Sequence, residues 1–288
     1  MEVLFVYIVK KDVEHYMIDF DNPGTYPDEI KIWVLDNMEY FKSIIPKDNY
    51  TEGWQIARIL DDKRLEESKF VSDFIQNNYN TEFCVWHATR IENEEQFRNN
   101  GIVAMSKDIP QSEERVKRLF RSIGLNEDEM EPILKKIECY WERDKDSRLE
   151  TVHFFFAKDH IKDPRLNRFA INLGGEIVCW GLDGIDDNLY RREPFKRLWI
   201  WGKPSIIKFR CKLKDMDRRI QEHIGVELVK YFVITELFKL QYAMECTGWR
   251  IGSVEAEDIL AIEEIENYIE MQEQFEEFKG FYDELKTV

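Results

Sequence analysis

Short apolar runs alternate along this chain with longer stretches in which apolar residues recur every three or four positions. This pattern predicts strands interspersed with helices. Strand-like runs stand at 3–9, at 83–88 (FCVWHA), at 151–157 (TVHFFFA), at 176–180 (EIVCW), at 205–213 and at 248–252. Helical spacing covers 28–45 and 53–77, after a turn at Asn22-Pro23-Gly24. Further helices are expected from Asn93, Ser112 and Glu127, with a helical turn through 165–173 and a long helix over 215–242. Near the end, Ile259, Ile262, Ile265 and Ile269 recur three or four apart, so 254–288 reads as an amphipathic helix with an acidic outer face. The order of elements predicts an α+β fold. A small N-terminal appendage, 1–80, closes with the polar NNYNTE at 77–82, and a main domain follows at 81–288.

With 288 residues, 43% of them hydrophobic, the chain can bury a substantial core. No run of about 18 apolar residues is present, and the apolar start lacks the basic flank and small-residue site of a signal peptide. A cytoplasmic protein without membrane contact is expected. The five cysteines (Cys84, Cys139, Cys179, Cys211 and Cys246) form no CxxC pair and lie in apolar segments, which reads as buried thiols rather than a zinc site or disulfide framework.

The net charge of −16 is unevenly spread. Residues 255–288 hold 12 acids and 2 bases, a net of −10. Residues 190–219 hold 11 bases and 3 acids, interleaved with Phe195, Trp199, Trp201 and Phe209. Cations that neutralise phosphates, beside rings on which bases stack, suit a polynucleotide. Arg191, Arg192, Lys196, Arg197 and Lys203 are therefore candidate nucleic-acid contacts, and the acidic C-terminal helix is expected to compete for them or to dock an inhibitory partner protein.

The candidate chemistry lies in four segments. WHATRIENEEQF ends a strand in His87, with Thr89 and Arg90 just beyond. VHFFFA supplies rings for a wall, and Phe155, on the face of His153, is the expected cleft-facing ring. Glu176 follows Gly174-Gly175, and Glu245 precedes the segment TGWRIGSVEAEDILAI. In this order the pieces resemble the ADP-ribosyltransferase superfamily, especially its bacterial toxin and phage-defence members, over roughly 82–265. The resemblance implies a split mixed β-sheet core with flanking helices and NAD as substrate. By the same resemblance His87 would bond ribose hydroxyls, Thr89 and Arg90 would bind the dinucleotide and Phe155 would stack on nicotinamide. Glu245, or else Glu176, would stabilise the oxocarbenium-like ribose. The acceptor would be nucleic acid ahead of protein. Two departures stand out: the aromatic strand offers no tyrosine, and position 243 is Ala, so Glu245 is not in an E-x-E pair. A nucleic-acid-binding module or a partner-binding protein without NAD chemistry is the alternative. No G-x-G-x-x-G, P-loop, H-E-x-x-H or G-x-S-x-G occurs, which disfavours Rossmann oxidoreductases, NTPases, zincins and serine hydrolases.

Overall fold

The computed structural model describes residues 17–45, 52–65, 69–77, 80–161, 197–198, 201–240 and 247–265. The strands expected at 3–9 and 176–180 and the turn at 165–173 lie outside them. In chain order the elements are β1 (Met17–Asp19), α1 (Asp28–Asp36), α2 (Met38–Ile44), α3 (Gly53–Asp62), α4 (Lys69–Asn77) and β2 (Glu82–Ile91). There follow α5 (Glu94–Asn100), α6 (Ile109–Ser122), α7 (Glu127–Arg148), β3 (Thr151–Phe155) and α8 (Lys158–Ile161). The last are β4 (Lys203–Lys212), α9 (Arg218–Phe232), β5 (Thr247–Ile251) and β6 (Ile259–Glu264). The helix starts follow local chemistry. Asn93, Asp108 and Asp217 each accept a backbone N–H at the N-terminus of α5, α6 and α9, and Glu52 with Gln55 closes a capping box on α3.

Mixed helices and strands build an α+β molecule around one six-stranded sheet of order β5-β3-β2-β4-β6, with β1 added parallel to the start of β2. All other neighbours are antiparallel. The long ladder is β2 with β4, registered from Glu82–Lys212 through Ile91–Lys203. By contrast β2 and β3 share a single registered pair, Trp86 with Phe155, while β3 and β5 pair over their whole length. The sheet thus consists of a β2-β4-β6 part and a β3-β5 part joined at one rung.

Side-chain alternation sends each strand into two cores. Phe83, Val85, Phe154, Phe156, Ile207 and Phe209 meet α9 on one face, and Trp86, Ala88 and Ile206 meet α6 and α7 on the other. The N-terminal helices join the first core. Ile18, Phe20, Ile30, Val34, Phe41, Ile56, Val71 and Phe74 pack in the same cluster as the sheet and α9, so β1 and helices α1 to α4 share the core of the main sheet. Lys230 of α9, 8% exposed, pairs with Asp61 of α3 and with Glu227, fixing that packing by charge as well.

Three expectations need correction. The strand carrying His87 does not end there but continues to Ile91. The helix expected over 215–242 is α-helical only from Arg218 to Phe232 and finishes in a π-turn, Val233–Leu237. The acidic C-terminal segment is not helical where it begins: Ala256–Asp258 is a 3-10 turn and Ile259–Glu264 is the edge strand β6. The isoleucine spacing misled because the β4–β6 ladder is irregular between Lys208 and Phe209. Ile262 opposes Ile207 and Ile259 opposes Phe209, so residues three apart reach the same core. Residues 266–288, including Ile269, lie outside the described residues.

Gly101 ends α5 at φ +69°, and a Cβ there would stand 1.8 Å from the carbonyl oxygen of Val254, which the neighbouring Ile102 N–H bonds at 3.0 Å. Substitution Gly101→Ala combines a left-handed backbone with a main-chain clash and should cost about 3 kcal/mol or more. Urea unfolding should show a lower midpoint at unchanged slope; an unchanged midpoint would contradict the close approach of the two segments.

Candidate functional site

His87 stands in the middle of the central strand, one residue past the rung that joins the two parts of the sheet. Its Nδ1 lies 2.8 Å from the backbone carbonyl oxygen of His153 in β3. A carbonyl can only accept, so Nδ1 carries the proton and donates, and Nε2 is left with a free lone pair. The residue keeps partial exposure, but burial of the ring holds its pKa below the ordinary histidine value against the opposing pull of the His153 carbonyl. His87 is therefore a neutral, oriented hydrogen-bond acceptor at neutral pH. Such a group receives a hydroxyl proton; it does not bind an anion.

Thr89 is the next residue on the same face, opposite Ser205 of β4, and is also partly exposed. Arg90 points the other way and is 6% exposed. Its Nε donates to the Trp201 carbonyl at 2.7 Å and its Nη2 to the Gly202 carbonyl at 2.9 Å. Gly202, at φ +61°, packs against the backbone of Ile91. The guanidinium is thus committed to the turn that starts β4, which is how a charged residue can extend the strand past His87.

Phe155 shares the face of its rung partner Trp86 and packs against the α6–α7 core, so it and His87 lie on opposite faces. The ring on His87's face is Phe154, buried at 1% exposure against Phe156, Phe209 and the bare backbone of Gly248. A Cβ at Gly248 would stand 2.9 Å from that ring. The expected convergence of histidine and Phe155 on one face is not observed.

Glu245 and Glu176 lie outside the described residues, as do Arg191, Arg192 and Lys196. Arg197 donates to the Gly124 carbonyl at 2.9 Å, in the turn between α6 and α7. Lys203 pairs with Glu264 of β6 at 2.7 Å, and that hydrogen bond raises its pKa.

A charged network that local sequence patterns do not foreshadow occupies the Trp86 side of the sheet. Asp21 accepts the Trp86 indole N–H at 2.7 Å and the Lys158 backbone N–H at 3.0 Å, and burial raises its pKa. Lys208 pairs with Asp19 at 2.5 Å and, with Lys158, flanks the Trp86 ring at 4.9 and 5.3 Å. Lys158 also pairs with Glu263. These partners are 65–189 residues apart in the chain, so no local pattern could announce them.

Burial pushes the Cys84 thiol up to about 11 and the Cys211 thiol up to about 12, which makes them unreactive packing residues. Among the described residues no group of three His, Cys, Asp or Glu side chains could hold a metal, and no helix is long and apolar enough to cross a membrane. Comparison with protein-family models, curated proteins and solved structures finds no match.

Two outcomes follow for stability. Because the folded-state pKa of His87 is depressed, the unfolded chain binds the proton more readily at mildly acid pH. The contribution of neutral His87 is present in full above the ordinary histidine value and is lost as the pH falls through the folded-state value. Denaturant titrations from pH 8 downward should show this loss in the native chain and not in His87→Gln; identical profiles would refute it. Arg90→Lys cannot reach both carbonyls and should cost about 1–3 kcal/mol. An Arg90→Lys chain with native stability would contradict the assigned role.

Proposed function

We propose that this chain is a NAD-consuming ADP-ribosyltransferase of the toxin or defence-effector type, transferring ADP-ribose to a macromolecule, nucleic acid ahead of protein. The observation that carries the reading is the adjacency of the three strands bearing its motifs. The strand of His87 (β2), the aromatic strand (β3) and the strand that Glu245 precedes by two residues (β5) are consecutive neighbours in the sheet. Strands distant in the chain thereby lie side by side, and the single rung between β2 and β3 supports the reading of a split sheet.

His87 is the residue best suited to the chemistry. A ribose hydroxyl donates to an acceptor, and a neutral imidazole with Nδ1–H fixed presents one at Nε2. Thr89, beside it, offers a hydroxyl to the same ligand. Arg90 is assigned no contact with NAD, since its donors hold the Trp201 and Gly202 carbonyls. Phe155 is assigned none beside His87, since it lies on the other face.

In the proposed reaction the bond between nicotinamide and ribose breaks with its electron pair leaving on nicotinamide. The acceptor nucleophile then adds to the ribose carbon and loses its proton to a base. Glu245 would stabilise the positive charge that develops on the ribose, with Glu176 as the rival carboxylate. A nucleic-acid-binding module without NAD chemistry is the second reading, favoured by the cations along β4.

Incubation with NAD and a mixture of RNA, DNA and protein should release nicotinamide in step with a mass gain on one acceptor. His87→Ala and Glu245→Gln should each slow this release by at least about 100-fold, and Glu176→Gln should leave it near the native rate. Absence of release with every acceptor would refute the proposal. Loss in Glu176→Gln alone would transfer the carboxylate role to Glu176.

A further inference from the structure

Helices α6 and α7, on the side of the sheet opposite His87, leave a cleft of about 330 Å³ between them. Its α7 wall is built by Glu127, Glu131, Leu134, Glu138 and Trp141, which succeed one another at steps of four and three residues and so share one stripe of the helix. With Asp128 and Glu113 of α6, five acids line the cleft against two lysines, Lys117 and Lys135. Both lysines are already taken: Lys117 pairs with Glu113 at 2.6 Å and Lys135 with Glu131 at 2.7 Å. Glu127 is held by Arg121 at 2.9 Å. Asp128 and Glu138 are left without an ion-pair or hydrogen-bond partner among the described residues.

Acids alone would make only a solvated face, but the cleft has a second feature. Trp141 belongs to the acidic stripe and also to the buried stripe of Met130, Ile133 and Ile137, so it stands where the cleft meets the core. It is 3% exposed, and its indole Nε1 is buried with no hydrogen-bond partner among the described residues. A buried N–H is costly to leave unpaired, so an acceptor brought through the cleft gains a bond that the fold does not supply.

A ligand for this site must carry cations and an acceptor together. Asp128 and Glu138 are about 15 Å apart along the helix axis, a span that about four residues of extended chain cover. A metal ion is too compact, and among the described residues no group of three ligands could hold one. A polyamine brings charge but nothing that an indole N–H can bond. We propose that the cleft docks a basic peptide segment of a partner protein, whose lysine or arginine side chains pair with Asp128 and Glu138 while one of its backbone carbonyls accepts from Trp141. The site needs neither NAD nor the face of His87, so this inference and the proposed reaction fail separately.

The test follows a fluorescent tetralysine peptide, blocked at both ends, by anisotropy at low salt, with spermine as a competitor of equal charge. Asp128→Asn/Glu138→Gln should weaken binding at least about tenfold, and the loss should shrink as salt is added. Glu39→Gln/Glu222→Gln changes the net charge equally on exposed residues of α2 and α9 and should bind as the native chain does. Trp141→Phe keeps a ring and removes the N–H, so it should weaken the peptide about three- to tenfold and leave spermine unaffected. In the native chain the Trp141 indole N–H signal, identified in a proton–nitrogen spectrum by its loss in Trp141→Phe, should move downfield as the peptide saturates. No binding by the native chain, equal losses in the two acid variants, or spermine binding as tightly as the peptide would each overturn the proposal. If Trp141→Phe is poorly folded, the indole signal is identified by its contacts with neighbouring methyl groups, and an unmoved signal at saturating peptide would overturn it as well.

Discussion

One rung, Trp86 with Phe155, joins the two parts of the sheet, and the hydrogen bond from His87 to the His153 carbonyl takes over where that ladder stops. The rest of the arrangement depends on this junction. A backbone carbonyl at a strand divergence needs a donor, because an unpaired buried acceptor costs about as much as a lost hydrogen bond. Here the donor is a side chain, so the imidazole is oriented by the need to satisfy the fold. The same bond decides what His87 can do chemically, since a committed Nδ1–H leaves Nε2 as an acceptor.

The two faces of the sheet then divide the labour. The face of His87 and Thr89 is built on an aromatic core continuous with α9 and the N-terminal helices, which gives the strand a rigid support. The opposite face carries the hydrophobic contact with α6 and α7 and, beside it, a ring of charges around Trp86. In that ring each cation faces an acid, as charges drawn out of water require. Acids from β1 and β6, the strands that flank the β2–β4 ladder, meet cations of β4 and α8, so charge pairing ties both flanking strands to the centre.

Much of this was legible in the apolar runs. Strands β2 and β3 stand where near-continuous apolar runs predicted them, because both lie inside the sheet and are covered on both faces, and β4 and β5 stand close to the runs at 205–213 and 248–252. Helix starts at Asn93 and Glu127 were legible from cap chemistry and periodicity. Strand β6 was not, because an irregular ladder gave it a helical spacing. The continuation of β2 beyond His87 was hidden because Thr89 and Arg90 look like the end of a buried run, whereas the Trp201 and Gly202 carbonyls, distant in sequence, accept from the buried guanidinium. For the site, neither the order of the motif strands within the sheet nor the face of Phe155 was legible: alternation fixes which residues share a face, and the rung with Trp86 decides which face that is.

The central claim is that His87 offers Nε2 to a ribose hydroxyl of NAD, and the most direct measurement is a long-range proton–nitrogen NMR spectrum of histidine-labelled protein titrated with NAD. Five histidines give a tractable spectrum, and the His87 signals are those lost in His87→Gln. The account predicts a neutral His87 with a protonated Nδ1 before addition, then a saturable shift at Nε2 while Nδ1 stays protonated. A His87 protonated at Nε2, or one whose signals do not move at any NAD concentration, would contradict it.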